Sequence, residues 1–319
     1  MKGLFERRFV IQTGKGGVGK TTVSAAIALA ASRRGKRVLL MEIGAKERGS
    51  RLFGSKPLSF EPIEVEDNLF AIHVSPDQAL EEYAVLKLRL KTLYRAVFEN
   101  RFVRSFLRVI PGLNELTLLG KAWYEVTLKD SSTGRYRWDM VVVDAPATGH
   151  GIFFLKIPDV ITSALSGGPM VDEARQIANL LGDEKTTMLN LVTLVEEMPV
   201  NETIELKAQL DAELNVPLGY VVANSVYPPS FDAEEAARVR EARASHPHDG
   251  SVGDRLLEAG VFRVERVELQ TGYLERIDRE VDLPQIRVPY YFTERFDFQT
   301  ISKIADDIDR QVDGGGQTP

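Results

Sequence analysis

The chain has no cysteine in its 319 residues. That excludes disulfides, thiolate nucleophiles and cysteine-based zinc or metalloid sites, and it fits a reducing compartment. A run of about 18 apolar residues is also missing, so no membrane-spanning helix is expected. Only KGLFERR separates Met1 from the first apolar run, which leaves no room for a signal peptide. A basic excess is lacking too: 40 Lys and Arg against 46 Asp and Glu give a net charge of −6. Such a balance argues against a general nucleic-acid binder. The expected location is the cytoplasm, with peripheral contact to a membrane left open.

What is present is ordinary globular material. Hydrophobic residues make up 44% and charged residues 27%, so a sizeable core is expected. The length suits one large α/β domain or two modest ones. RFVIQTG reads as a buried strand, KTTVSAAIALAASRRG as a helix closed by Gly35, and KRVLLMEIG as the next strand. Strand, glycine-rich loop, helix and strand form a right-handed βαβ unit of a parallel sheet. WDMVVVDAPATGHG, TMLNLVTLVEE and PLGYVVANSVYP are further apolar runs, as strands covered on both faces should be. Helices are expected at 203–213, 232–245, 253–280 and 298–311, with longer helical regions at about 77–130 and 158–182. The predicted fold is a single α/β domain over 1–312, a doubly wound, mainly parallel sheet carrying a helical insertion. GGGQTP closes a frayed tail at 313–319.

The segment from Gly14 to Thr21 satisfies G-x-x-x-x-G-K-[ST] between a strand and a helix. Gly16, Gly17, Val18 and Gly19 let backbone N–H groups wrap phosphates at the helix N-terminus. Lys20 is expected at the β- and γ-phosphates, Thr21 on Mg²⁺ and Thr22 at the α-phosphate of ATP. A second lysine, Lys15, follows the first glycine. The loop leaves Lys15 little room to turn inward, so its side chain points across the open side of the phosphates. There it reaches the nucleotide of a second subunit and supplies positive charge in trans, as an arginine finger does. The alternative is a solvated surface lysine.

KGGVGKTT resembles the deviant phosphate loop of the signal-recognition, MinD and arsenite-pump superclass of dimeric NTPases. DAPATGHG, Asp144 to Gly151, is similar to the D-T-A-P-T-G-H-T segment of the arsenite-pump and tail-anchored-protein-targeting ATPases. IPGLNEL, EEMPVNETIEL and VVANSVYP also resemble blocks of that family, in order. The resemblance implies that Asp144 holds Mg²⁺ through water, and that Gly149 and His150 respond to the γ-phosphate. It implies an adenine contact at Asn224, whose carboxamide suits that edge, although a strand-end turn needs an asparagine equally well. VPYYFT looks like the loop over the base, which adds Pro289 and Phe292.

The chain also departs from that pattern. The family's first switch reads roughly S-T-D-P-A-H-N-L-S-D-A-F-G, and its first aspartate orients the attacking water. EIGAKERGSRLFG places Gly44 there. Either Glu42, two residues earlier on the same side of the strand, takes over that task, or the subunit hydrolyses ATP poorly and regulates an active paralogue. Without cysteine there is no soft ligand for As(III), so metalloid transport is not expected, and the Cys-x-x-Cys zinc clamp of the targeting factors is missing. SGGPMVDE is short where those factors carry an apolar insert.

Tyr83, Leu86, Leu90, Leu93, Tyr94 and Val97 repeat at helical spacing. Seven basic residues (Lys87, Arg89, Lys91, Arg95, Arg101, Arg104 and Arg108) face a single acidic one, Glu99. The pattern reads either as a core stripe with a solvated basic face or as a surface over 83–110 for a protein client or a membrane. The expected assembly is a homodimer or a heterodimer with a paralogue.

Overall fold

The computed structural model describes residues 3–44, 47–88, 112–146, 148–294 and 296–313, with backbone alone at 84–88, 148–151 and 313. Its strands are β1 (Phe9–Thr13), β2 (Val38–Ile43), β3 (Ile63–Glu66), β4 (Leu69–Val74), β5 (Met140–Asp144), β6 (Thr187–Leu194), β7 (Leu218–Val226) and β8 (Gln285–Pro289). They form one sheet in the order β3-β4-β2-β5-β1-β6-β7-β8. Every pairing is parallel except β3 with β4. The doubly wound, mainly parallel α/β fold expected from the apolar runs is therefore present.

The physical reason lies in the two faces. Every residue of β1, β2 and β5 is buried. Successive side chains point to opposite sides of a strand. Phe9, Ile11, Leu39, Met41, Val141 and Val143 enter one core, whereas Val10, Val38, Leu40, Met140 and Val142 enter the other. Both sides of the sheet need cover, which is why the strands read as continuous apolar runs.

Helices supply that cover. On one face lie α1 (Lys20–Arg33) and α10 (Phe298–Asp313), packed together. Ten consecutive residues of α1, Val23 to Ser32, are buried, and its alanines allow close approach to the sheet. Arg33 pairs with Asp306 and Arg34 with Asp309 along the seam. The remaining helices are α2 (Gly49–Phe53), α3 (Pro76–Leu88), α4 (Leu113–Thr127), α5 (Thr148–Ala164), α6 (Pro169–Leu181), α7 (Glu197–Glu213), α8 (Ala233–Ser245) and α9 (Val252–Val281).

Several boundaries differ from the sequence expectation. β3, β4 and β8 were not read as strands. β4 carries His73 within LFAIHV and β8 alternates as QIRVP, so neither shows an unbroken apolar run. The region read as one helix over 158–182 is two. α5 starts ten residues earlier, just after β5, with Pro158 in its interior, and the chain breaks at Leu165 to Gly168. Gly168, at φ +112°, provides the backbone turn that ends one helix and opens the next. The helical region at 77–130 ends at Thr127, and a Lys129–Tyr136 bridge follows. Helix α7 begins at Glu197, a turn and a half before the expected 203.

The described parts of the expected insertion are a layer of the fold. α4 packs on α3, α5 and α6, and Leu116, Leu119, Phe154 and Ile177 share the core of the sheet. The basic residues Arg89 to Arg108, and most of the stripe over 83–110, lie outside the described residues. Tyr83 is within them, and its hydroxyl donates to Glu173 at 2.8 Å. The tail beyond Asp313 also lies outside them. No helix among the described residues is long and apolar enough to cross a membrane.

Trp138, fully buried before β5, pins this layer to the sheet. Its ring lies 5.1 Å from Phe70, and its Nε1 donates to Glu125 Oε2 at 2.8 Å. Glu125 is itself buried beside Lys121. Trp138→Phe removes the donor and leaves a void, so the chain should lose roughly 2–4 kcal/mol of stability. Guanidinium unfolding followed by far-ultraviolet circular dichroism checks this, and an unchanged midpoint would contradict it.

Candidate functional site

The central strands end level with one another. Gln12 of β1 and Glu42 of β2 are both register partners of Asp144 in β5. Beyond Thr13 the chain enters the loop Gly14–Gly19, which leads into α1. Two loop glycines are dictated by their surroundings. Gly14 stands at φ +148°, and a Cβ there would lie 2.2 Å from the Val192 carbonyl oxygen. Gly19 stands at φ +92°, and a Cβ there would lie 2.2 Å from Asn224 Nδ2. Gly16 and Gly17 are exposed, and Val18 is buried between them and the helix. A loop with this exposed, glycine-rich backbone is a cradle for an anion.

Lys20 curls over the cradle. Its Nζ donates to the carbonyls of Gly14 and Lys15, each at 2.9 Å. Burial lowers its pKa, the Asp144 carboxylate opposes that shift, and the Arg48 guanidinium adds to it. Thr21 donates from Oγ1 to Asp144 Oδ2 at 2.6 Å. The other oxygen of Asp144, Oδ1, is buried with no hydrogen-bond partner. Burial pushes the Asp144 pKa up to about 6, the Thr21 bond opposes the rise, and Glu42 adds to it. The site thus joins a partly desolvated cation to a carboxylate with an unused oxygen. Such a pair suits a phosphate and a divalent cation, because an anion relieves the first and a metal the second. Thr22 continues the first turn of α1, half-buried.

The other sequence candidates fall into place unevenly. Lys15 does not lie free across the open side of the loop; within one subunit it forms an ion pair with Glu202 of α7. Glu42 is buried, and both of its oxygens accept backbone N–H groups, from Arg48 and Gly49 at 2.9–3.0 Å. That arrangement makes it an anchor of the loop after β2, which departs from the water-orienting role considered for it. Gly44 follows the end of β2. Asn224 lies at the end of β7 and donates from Nδ2 to the Val18 carbonyl at 2.8 Å, so it braces the phosphate loop. Pro289 ends β8, and the described backbone of Thr148–His150 opens α5.

Sequence reasoning missed the aromatic company of Phe292. Tyr227 and Tyr290 stack at 4.9 Å with an interplanar angle of 10°, and Phe292 packs against both. Arg263 of α9 lies over Tyr227 and Phe292. YYF after β8 was a visible signal, but the Arg263 partner comes from a helix far away in the chain. Phe292 is 66% exposed, so the cluster presents aromatic surface beside the strand end that carries Asn224.

The raised pKa of Asp144 carries a signed consequence. Its folded value lies above the unfolded one, so its contribution to the stability of the nucleotide-free chain is fully present below about pH 4 and lost as pH rises through about 6. Asp144→Asn should therefore be more stable than the parent at pH 8, by roughly 1–3 kcal/mol. The difference should vanish near pH 4. Urea unfolding at the two pH values measures it, and a less stable variant at pH 8 would contradict the assignment.

Comparison with known proteins agrees with this geometry. Residues 7–167 match a family model described as anion-transporting ATPase. The chain is 29% identical over 313 residues to ATPase BagA of Mycobacterium tuberculosis, covering 94% of this chain and 89% of that protein. It is 26% identical over 329 residues to an arsenical pump-driving ATPase of Escherichia coli, covering 96% of this chain but 55% of that protein. A putative arsenical pump-driving ATPase of Chlorobaculum tepidum is 33% identical over 158 residues, 49% of this chain and 36% of that protein. The matched span holds the glycine loop, Lys20, Thr21 and Asp144, and the chain belongs to the anion-transporting ATPase family.

Proposed function

We propose that the chain binds Mg-ATP at Lys20, Thr21 and Asp144 and hydrolyses it slowly, working as a dimeric switch that handles a protein or membrane partner. The observation that carries this reading is the convergence of Lys20, the Thr21 hydroxyl and the unpartnered Asp144 oxygen on one glycine cradle. The loop N–H groups and Lys20 bind the phosphates, and Lys20 leaves the carbonyls of Gly14 and Lys15 when it does so. Thr21 and Asp144 hold the metal ion, which when bound neutralises phosphate charge and polarises the phosphoryl group. Asn224, Pro289 and Phe292 border the adenine end.

Lys15 is the link to a second subunit. In one subunit its charge is held by Glu202, and engagement in trans exchanges that carboxylate for a phosphate of the facing nucleotide. The exchange makes dimerisation depend on nucleotide. A second reading, a weakly hydrolysing regulatory subunit paired with a paralogue, is favoured by one observation: Gly44 supplies no carboxylate, and Glu42 is occupied by backbone donors. The names of several relatives refer to arsenicals. This chain offers no thiolate for a soft metalloid, so a metalloid substrate is not part of the reading.

Lys20→Ala should abolish nucleotide binding. Lys15→Ala should keep binding within a few-fold but lose ATP-dependent dimerisation and turnover, whereas Glu202→Gln should dimerise at lower ATP concentration. Calorimetry and sedimentation velocity separate these effects, and equal loss of binding in both lysine variants would make Lys15 a simple part of the loop. For the partner, hydrogen–deuterium exchange over 83–110 should differ between the ATP and ADP states; identical protection would leave that stretch without a switching role.

A further inference from the structure

Arg48 lies in the short loop between β2 and α2. Glu42 stands beside Asp144 in the β2–β5 register, so whatever Glu42 anchors is brought to the edge of the phosphate site. Its Oε1 accepts from the Arg48 N–H at 2.9 Å and its Oε2 from the Gly49 N–H at 2.9 Å. Two charge-assisted bonds to adjacent backbone groups fix the loop more firmly than a single one would.

The neighbouring residues are chosen to permit this closure. A Cβ on Gly49 would lie 2.9 Å from Leu58 Cδ1 and 3.2 Å from Glu42 Oε2, so a larger residue would crowd both side chains. Glu47 is turned away, accepting from the Ser50 N–H at 2.6 Å and the Ser50 hydroxyl at 2.8 Å. Both acidic residues flanking the turn are thus held by local donors. Arg48 follows Glu47 directly and is exposed. Its backbone N–H is held by Glu42, the register neighbour of Asp144, which sets the residue at the edge of that site.

We propose that Arg48 is a phosphate ligand supplied in cis, held by Glu42, that contacts the γ-phosphate and lets the site tell ATP from ADP. The inference rests on the ATP reading above. The glycine loop and Lys20 follow β1, whereas Arg48 follows β2, the strand on the other side of β5. The planar guanidinium fork matches two phosphate oxygens and adds positive charge beside them. Glu42 then acts as a positioning residue through the Arg48 backbone.

The test uses the full chain with Mg²⁺ and compares ADP with a non-hydrolysable ATP analogue by calorimetry. Arg48→Ala should weaken the analogue about tenfold or more while ADP affinity stays within about twofold. Turnover should fall about 100-fold. Arg48→Lys should recover part of the analogue affinity. Glu42→Gln should move analogue affinity in the same direction as Arg48→Ala and spare ADP. Because Arg48 is exposed, the Arg48 variants should unfold at the parental temperature. Equal effects on both nucleotides, or none, would overturn the role of Arg48. A parent chain that binds neither nucleotide would overturn the ATP reading itself.

Discussion

The hydrogen bond from the Thr21 hydroxyl to the Asp144 carboxylate joins the two halves of the site across 123 residues of sequence. It is possible only because β1 and β5 are adjacent and in register, with Gln12 opposite Asp144. That adjacency depends in turn on strands apolar on both faces and on helices covering each side. α1 covers one face with a run of buried small residues and begins at the loop that carries Lys20. The other face is closed by α4 to α7, and Glu125 of α4 accepts from Trp138, which lies just before β5.

Burial near the ends of these strands sets the electrostatics. Asp144 loses solvent and gains Glu42 as a neighbour, so its proton is held more tightly than in water. Lys20 is partly desolvated and lies near Arg48, so its charge is held less firmly. These two shifts are ones that a polyanion with a divalent cation would oppose. Affinity for such a ligand follows from the fold's inability to satisfy these groups by itself.

One ion pair and one set of backbone hydrogen bonds order the surroundings of the cradle. Lys15 with Glu202 and Glu42 with the Arg48 and Gly49 N–H groups hold two basic residues at defined places around the cradle. One ion pair joins the phosphate loop to α7, and the other contact joins β2 to α2. In the proposed switch each element responds to nucleotide through a different phosphate contact, one in trans and one in cis.

The parallel sheet and the phosphate loop were legible in the sequence because both are local. A continuous apolar run between glycines declares a buried strand, and the spacing of glycine, lysine and threonine declares a loop that wraps phosphates. Asp144 was legible through its block, VVVDAP. β4 and β8 were not, since His73 and Arg287 interrupt the apolar pattern and only pairing with β2 and β7 makes them strands. The break between α5 and α6 was hidden because Pro158 and the Gly167–Gly168 pair compete as helix breakers, and packing decided for the glycines. The sequence alone determined the fold class and the glycine-loop pattern that goes with phosphate binding. Only the tertiary structure decided the partners of Lys15, Thr21 and Asn224, because each meets its partner through strand register or helix packing, which no local spacing encodes.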